Sequence, residues 1–267
     1  MHCYKDEYGF ERNHFMDMKK VRKLIKKNTF VSCIPLISTN RNELLADVEG
    51  AVANGCDFLE WRRDHFMPGE VLTAVEEQVL LSEIKTRMPE QGLIYTYRSH
   101  REGGVCKTAD EIRATAMIAA IKSNYIDYLD VELNSETTFL EQLKVALKTS
   151  ETQWLVSSHN FEKTPVIAEI SAVFRAMEEA GGDVLKLAVM PQSIDHVRHL
   201  IEATLTYNEK SPKPMIAIAM GSLGVITRIA PDLCGGSLTF VAGAGKTAPG
   251  QLSLEEIIDL RKRMALI

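Results

Sequence analysis

The sequence has no uninterrupted apolar run near the roughly 18 residues that cross a bilayer. Its first residues, Met1-His2-Cys3-Tyr4-Lys5-Asp6-Glu7, lack the apolar centre of a secretory signal. Cysteine is scarce and scattered: Cys3, Cys33, Cys56, Cys106 and Cys234 are odd in number, and none forms a Cys-x-x-Cys pair. That pattern gives neither a disulfide frame nor a zinc site, and a reducing cytoplasm is the simplest setting. No His, Cys, Asp and Glu cluster has metal-ligand spacing, so neither a metal nor another cofactor is expected. Positive charge is not in excess. The net charge of -5 suits a soluble protein with no nucleic-acid or membrane partner. No Pro-, Gly- or Ser-rich linker divides the chain, which reads as a single domain.

What the sequence does have is alternation. After a polar leader over residues 1–28, with a basic run at Lys19, Lys20, Arg22, Lys23, Lys26 and Lys27, a regular pattern occupies 29–267. The leader reads as a solvated or mobile segment, or as a cap on the bottom of the fold. Short apolar runs are expected as strands at Phe30–Leu36, Cys56–Arg62, Leu93–Arg98, Tyr125–Leu133, Gln153–His159, Asp183–Val189, Pro214–Met220 and Ser237–Ala242. Helical stretches follow each: Asn40 to Asn54, Glu70–Arg87, Lys107–Lys122, Ser135–Thr149, Pro165–Ala180, Ser193–Tyr207, Gly224–Arg228 and Ser253–Met264. Eight strand-then-helix units in about 240 residues imply an α/β fold closed as a (β/α)8 TIM barrel. An open doubly wound sheet would call for a glycine-rich turn after the first strand, and Leu36-Ile37-Ser38-Thr39-Asn40 has no glycine.

A barrel places its chemistry at the C-terminal strand ends. Strand two ends at Glu60-Trp61-Arg62 and strand three at Arg98, with Glu102 just beyond. Strand four carries Asp130 and Glu132, strand five ends at His159, and Arg228, Thr247 and Gln251 follow the last two strands. Strand six, Asp183-Val184-Leu185-Lys186-Leu187-Ala188-Val189, carries a lysine where a buried strand would carry valine. Such a lysine is costly to bury unless paired, neutral or reactive. A neutral amine is a nucleophile toward carbonyls. Side-chain alternation puts Phe58, Glu60 and Arg62 on one face, and Val184, Lys186 and Ala188 on one face. His159 and Lys186 lie one strand-helix unit apart, so they are expected on neighbouring strands at similar height. An amine beside a histidine suggests carbonyl chemistry through an imine, with the imidazole moving protons. Gly245-Lys246-Thr247 resembles the end of a P-loop, but Phe240 stands where the earlier glycine is required.

Glu60-Trp61-Arg62, Tyr97-Arg98 with Glu102-Gly103-Gly104, Asp130-Val131-Glu132-Leu133, Ser157-Ser158-His159-Asn160-Phe161, Lys186-Leu187-Ala188, Gly224-Val225-Ile226-Thr227-Arg228 and Ala248-Pro249-Gly250-Gln251 together resemble the type I 3-dehydroquinate dehydratases. The resemblance implies a (β/α)8 lyase, usually a homodimer, that converts 3-dehydroquinate to 3-dehydroshikimate. It implies that Lys186 forms a Schiff base, that His159 transfers protons, and that Glu102 and Asp130 orient and tune His159. It implies that Arg228 holds the substrate carboxylate, and that Glu60, Arg62, Arg98 and Gln251 hold its hydroxyls. Ser32, taken as the end of strand one, and Thr247, which stands where the family carries serine, are implied as further contacts. The glycine-rich loops Ser99–Cys106 and Ala242–Leu252 flank the rim, and the second is expected to close over the substrate. The competing readings are another Schiff-base barrel acting on a sugar phosphate, and a non-catalytic binding barrel.

Overall fold

The computed structural model describes residues 22–66, 71–243, 248 and 250–267. Eight strands alternate with eight helices. β1 (Val31–Leu36) leads into α1 (Arg41–Ala53), β2 (Phe58–Arg62) into α2 (Ala74–Arg87), and β3 (Gly92–Thr96) into α3 (Asp110–Ser123). β4 (Tyr128–Glu132) and α4 (Thr137–Lys148) follow, then β5 (Gln153–Asn160), α5 (Ile167–Glu179), β6 (Val184–Val189) and α6 (Ile194–Asn208). β7 (Met215–Ala219), the one-turn α7 (Ile226–Ile229), β8 (Leu238–Phe240) and α8 (Leu254–Arg263) complete the chain. Local chemistry sets several starts. Asn40 accepts the Glu43 N–H at α1, and capping boxes join Thr73 to Glu76 at α2 and Ser253 to Glu256 at α8.

All ladders are parallel, in the order β7-β6-β5-β4-β3-β2-β1-β8. The strands form a nearly closed barrel. Among the described residues no ladder joins β7 to β8, although the two lie side by side. Strand alternation divides the apolar residues into two cores. Leu59, Trp61, Leu93, Tyr95, Leu129, Val156, Leu185 and Leu187 face the helices. Cys33, Phe58, Ile94, Tyr128, Leu155, Val184, Ile216 and Leu238 fill the barrel interior. One position there must be glycine: a Cβ on Gly92 would lie 2.1 Å from the Phe58 ring.

The described part of the leader, residues 22–28, is not a solvated helix. Ile25 joins the interior cluster, and its N–H donates to the Tyr128 hydroxyl at 2.9 Å. Two basic residues around it have partners: Lys23 reaches Asp57 at 3.1 Å, and Lys27 donates to the carbonyls of Asn208 and Ser211. The segment therefore lies across the N-terminal mouth of the barrel. Strand lengths differ from the sequence expectation mainly at their ends. β3 stops at Thr96, because Tyr97 and Arg98 leave the sheet toward a single 3-10 turn at His100–Glu102.

Candidate active site

The C-terminal mouth opens into a cavity of about 290 Å³. Glu60, Arg62, Arg98, Glu102, His159, Lys186, Arg228 and Gln251, all expected from the sequence, line it. Apolar wall is supplied by Phe161, Ala188, Ile218, Met220 and Phe240.

Lys186 stands at mid-strand on β6, 4% exposed. Its Nζ donates to Asp130 Oδ2 at 2.9 Å and to Glu60 Oε1 at 3.4 Å, and lies 4.3 Å from the centre of the Phe240 ring. A buried ammonium is tolerable only with such compensation. Its carboxylate partners are tied in turn. Thr96 donates to Glu60 at 2.8 Å, while Asp130 also accepts from Arg98 Nη2 at 2.8 Å and from the Ser157 hydroxyl at 2.6 Å. Arg98 Nη1 donates to Ser157 Oγ at 2.8 Å and to Glu132 at 3.3 Å, and Glu132 is held from outside by Arg113 at 3.2 Å. Lys186, Arg98 and Arg113 thus face Glu60, Asp130 and Glu132 in one continuous network, three cations against three carboxylates. Burial alone would raise the Asp130 carboxyl, but Arg98 and Lys186 override it and hold the group far below the usual carboxylate range.

His159 forms a second unit. Its Nδ1 lies 2.8 Å from Glu102 Oε2, and its backbone N–H donates to that same oxygen at 3.0 Å. Burial, reinforced by the charges of Arg98 and Lys186, pushes the imidazole well below its ordinary value, so it is neutral. Burial also raises the Glu102 carboxyl to about 7, with Arg98 opposing and Glu132 and Asp130 adding to the rise. Phe161 stacks against the imidazole at 6.2 Å. The 3-10 turn bearing Glu102 passes beneath that ring through Gly103, whose φ of 88° favours glycine and where a Cβ would lie 3.0 Å from Phe161.

Arg62 is gripped by Asp64 through two parallel bonds of 2.9 and 2.8 Å. Arg228 projects from α7, and its Nη1 donates to the Phe240 carbonyl of β8 at 3.3 Å. Burial pushes its guanidinium down to about 10. The Gln251 side chain accepts the Ala248 N–H at 3.2 Å. Among the described residues, no group of three His, Cys, Asp or Glu could hold a metal ion, and no helix is long and apolar enough to cross a membrane.

Three expectations change. Ser32 lies at the start of β1, not its end. Its hydroxyl and N–H both donate to Asp57 at 3.0 Å, away from the cavity, so the expected substrate contact is not made there. Asp130 bonds Lys186, Arg98 and Ser157, so it is first the lysine's counter-ion, and it tunes His159 through its charge, which opposes the fall of the imidazole. The register also sets Ser157 opposite Lys186 and Ala188 opposite His159. The histidine Cα therefore stands two residues, about 6.6 Å along the strand, nearer the rim than the lysine Cα. Thr247 and most of the glycine-rich stretch before it lie outside the described residues.

His65 also lines the cavity and was not anticipated, nor was the role of Asp64. Both follow Arg62 in a 3-10 turn, where strand alternation gives no guide. Ser157 was visible as part of a motif, but its bridge between Arg98 and Asp130 was not.

Residues 32–265 match the family model for type I 3-dehydroquinase. The chain is 34% identical over 232 residues to a 3-dehydroquinate dehydratase of Klebsiella pneumoniae, covering 85% of this chain and 92% of that one. It is 36% identical over 226 residues to one from Aromatoleum aromaticum, covering 84% and 86%. Among solved structures, a type I 3-dehydroquinate dehydratase of Clostridium difficile superposes with a TM-score of 0.81 at 30% identity, covering 88% of this chain and 91% of that one.

Proposed function

The chain belongs to the type I 3-dehydroquinase family, whose members dehydrate 3-dehydroquinate in the shikimate pathway, and from that premise we propose that it does so through a Schiff base on Lys186. The observation that carries the reading is a buried lysine amine and a neutral histidine facing one cavity, each with its own carboxylate.

Lys186 gives one proton to the neutral His159, its amine adds to the C3 ketone, and His159 returns that proton to the carbinolamine oxygen, which leaves as water and gives a protonated imine. That cation acidifies the C2–H bonds. With Glu102 ionised and accepting from Nδ1–H, the Nε2 lone pair of His159 is left to take the C2 proton. The electron pair moves into an enamine. His159 then gives the proton to the C1 hydroxyl, which departs as water while the enamine electrons form the C1–C2 double bond. Water hydrolyses the imine, releasing 3-dehydroshikimate and restoring the amine. Asp130, kept ionised by Arg98, stabilises the positive nitrogen throughout.

Arg228 is the group suited to the substrate carboxylate. Burial makes its charge costly, and an arriving carboxylate offsets that cost through a bidentate bond. Glu60, Arg62, Arg98 and Gln251 are assigned to the hydroxyls. The structure of the Clostridium difficile relative is described with covalently modified comenic acid, which fits a reactive group in that relative. A homodimer and a cytoplasmic setting belong to the same proposal, while the expected closing segment of the Ala242–Leu252 loop lies in part outside the described residues.

The test is incubation with 3-dehydroquinate and sodium borohydride, followed by peptide mass analysis. Added mass on Lys186 and loss of activity are expected, and Lys186→Ala should remove the adduct. Turnover without any adduct on Lys186 would sink the imine mechanism.

A further inference from the structure

Asp64 contributes a side chain with no exposed surface, two residues beyond the end of the β2 face that carries Glu60 and Arg62. Its Oδ1 accepts from Arg62 Nε at 2.9 Å and from the backbone N–H of Arg98 at 3.4 Å. Its Oδ2 accepts from Arg62 Nη2 at 2.8 Å and from the backbone N–H of Val105 at 3.3 Å. Arg98 and Val105 are the two ends of one loop, and Glu102 lies between them. That loop is folded back on itself by the N–H groups of Glu102 and Gly104, which both donate to the Ser99 carbonyl, at 3.1 and 2.8 Å. Glu102 in turn holds both the ring and the backbone of His159. A carboxylate that served only to neutralise Arg62 would have no need to reach both ends of the neighbouring loop.

We propose that Asp64 is a positioning residue for the dehydration: one buried carboxylate sets the Glu102 loop, and through it the His159 imidazole, in the same frame as the substrate-facing Arg62. This rests on the reading of Lys186, His159 and Glu102 as the catalytic set. The consequence is that Asp64 acts on the chemical step as well as on binding, although it does not line the cavity. Displacing a proton-transfer group by about an ångström costs up to about 100-fold in rate.

The test compares three variants in steady-state kinetics with 3-dehydroquinate. Arg62→Met removes the arginine branch but leaves the two loop N–H bonds of Asp64, so it is expected to raise KM with a smaller loss of kcat than the Asp64 variants show. Asp64→Asn keeps the shape but offers one acceptor oxygen, and turns an NH₂ toward N–H donors. It is expected to raise KM to a similar extent and also to lower kcat by roughly 10- to 100-fold. Asp64→Glu keeps the charge and every acceptor but shifts them by one methylene, so it covers the case in which the asparagine variant does not fold. A lowered kcat in Asp64→Glu supports positioning. A wild-type kcat in Asp64→Glu, or an Asp64→Asn variant whose kcat and KM match those of Arg62→Met, overturns it. Borohydride capture on Lys186 of the unmodified protein does not depend on Asp64. A missing adduct there counts against the catalytic set and leaves the two failures distinguishable.

Discussion

Replacing Glu102 by glutamine should make the folded protein more stable at alkaline pH while slowing the reaction. Both hydrogen bonds from His159 converge on one oxygen, Oε2, at 2.8 and 3.0 Å. A glutamine carbonyl oxygen can accept both, so the substitution removes charge with little loss of geometry. The carboxyl is raised from 4.5 to about 7, first by burial. A folded-state value above the unfolded one means that the protonated form is the better tolerated one. The resulting stability is fully present below about 4.5 and disappears as pH rises through about 7. At about 1.36 kcal/mol for each pH unit, the interval from 4.5 to about 7 costs the native protein about 3 kcal/mol above neutrality. Glu102→Gln avoids that cost. Urea unfolding followed by circular dichroism, at acid and at alkaline pH, should show a difference near zero below about 4.5 that grows to about 3 kcal/mol above about 8. The same variant should lose roughly 100-fold in kcat, because the imidazolium formed during turnover no longer faces a negative charge. A stability difference that stays flat across the pH range, or that favours glutamate at alkaline pH, would refute the reasoning.

Other perturbations separate the remaining parts of the site. In the native protein kcat/KM should fall as pH drops through about 7, because a protonated Glu102 can donate to Nδ1 and place the ring proton on Nε2; a pH–rate profile measures this. Arg228→Lys keeps a charge but loses the fork, so KM should rise by roughly 10- to 100-fold with a smaller change in kcat. Lys186→Met should abolish turnover, and should lower stability in urea titration by less than the roughly 3–5 kcal/mol typical of a broken buried pair, because Asp130 keeps Arg98 and Ser157. Gly92→Ala should destabilise the barrel by roughly 1–3 kcal/mol through the Phe58 ring, and Phe58→Leu in the same chain should recover part of that in thermal unfolding.

The eight units were legible because each apolar run is short and several helices carry their own start signal, as Asn40, Ser193 and Ser253 do. Parity alone placed Glu60 and Arg62 together, and Lys186 between Val184 and Ala188. Height around the barrel was not legible. Counting one unit from His159 to Lys186 ignores strand stagger, which the register supplies only after closure. Ser32 was misplaced for a related reason, since in a parallel barrel only the C-terminal end of a strand meets the site and Ser32 is the second residue of β1. The partners of Asp130, and those of Asp64 other than Arg62, come from segments tens of residues away, and no local pattern states which of several nearby donors a carboxylate will choose.

The missing ladder between β7 and β8 gives the ring a seam. Backbone groups facing a seam lack the cooperative protection of a paired strand, and the hydroxyls of Thr239 in β8 and of Ser237 just before it are buried with no hydrogen-bond partner among the described residues. Deuterium should therefore enter the Leu238–Phe240 amides on the seam side sooner than those of β5 or β6. Arg228, from the element after β7, already reaches the Phe240 carbonyl of β8 across this seam. An anion gripped by Arg228 would tighten that crossing. Slowed exchange on both sides of the seam, outside the cavity wall itself, is how ligand binding should register in the breathing of the barrel.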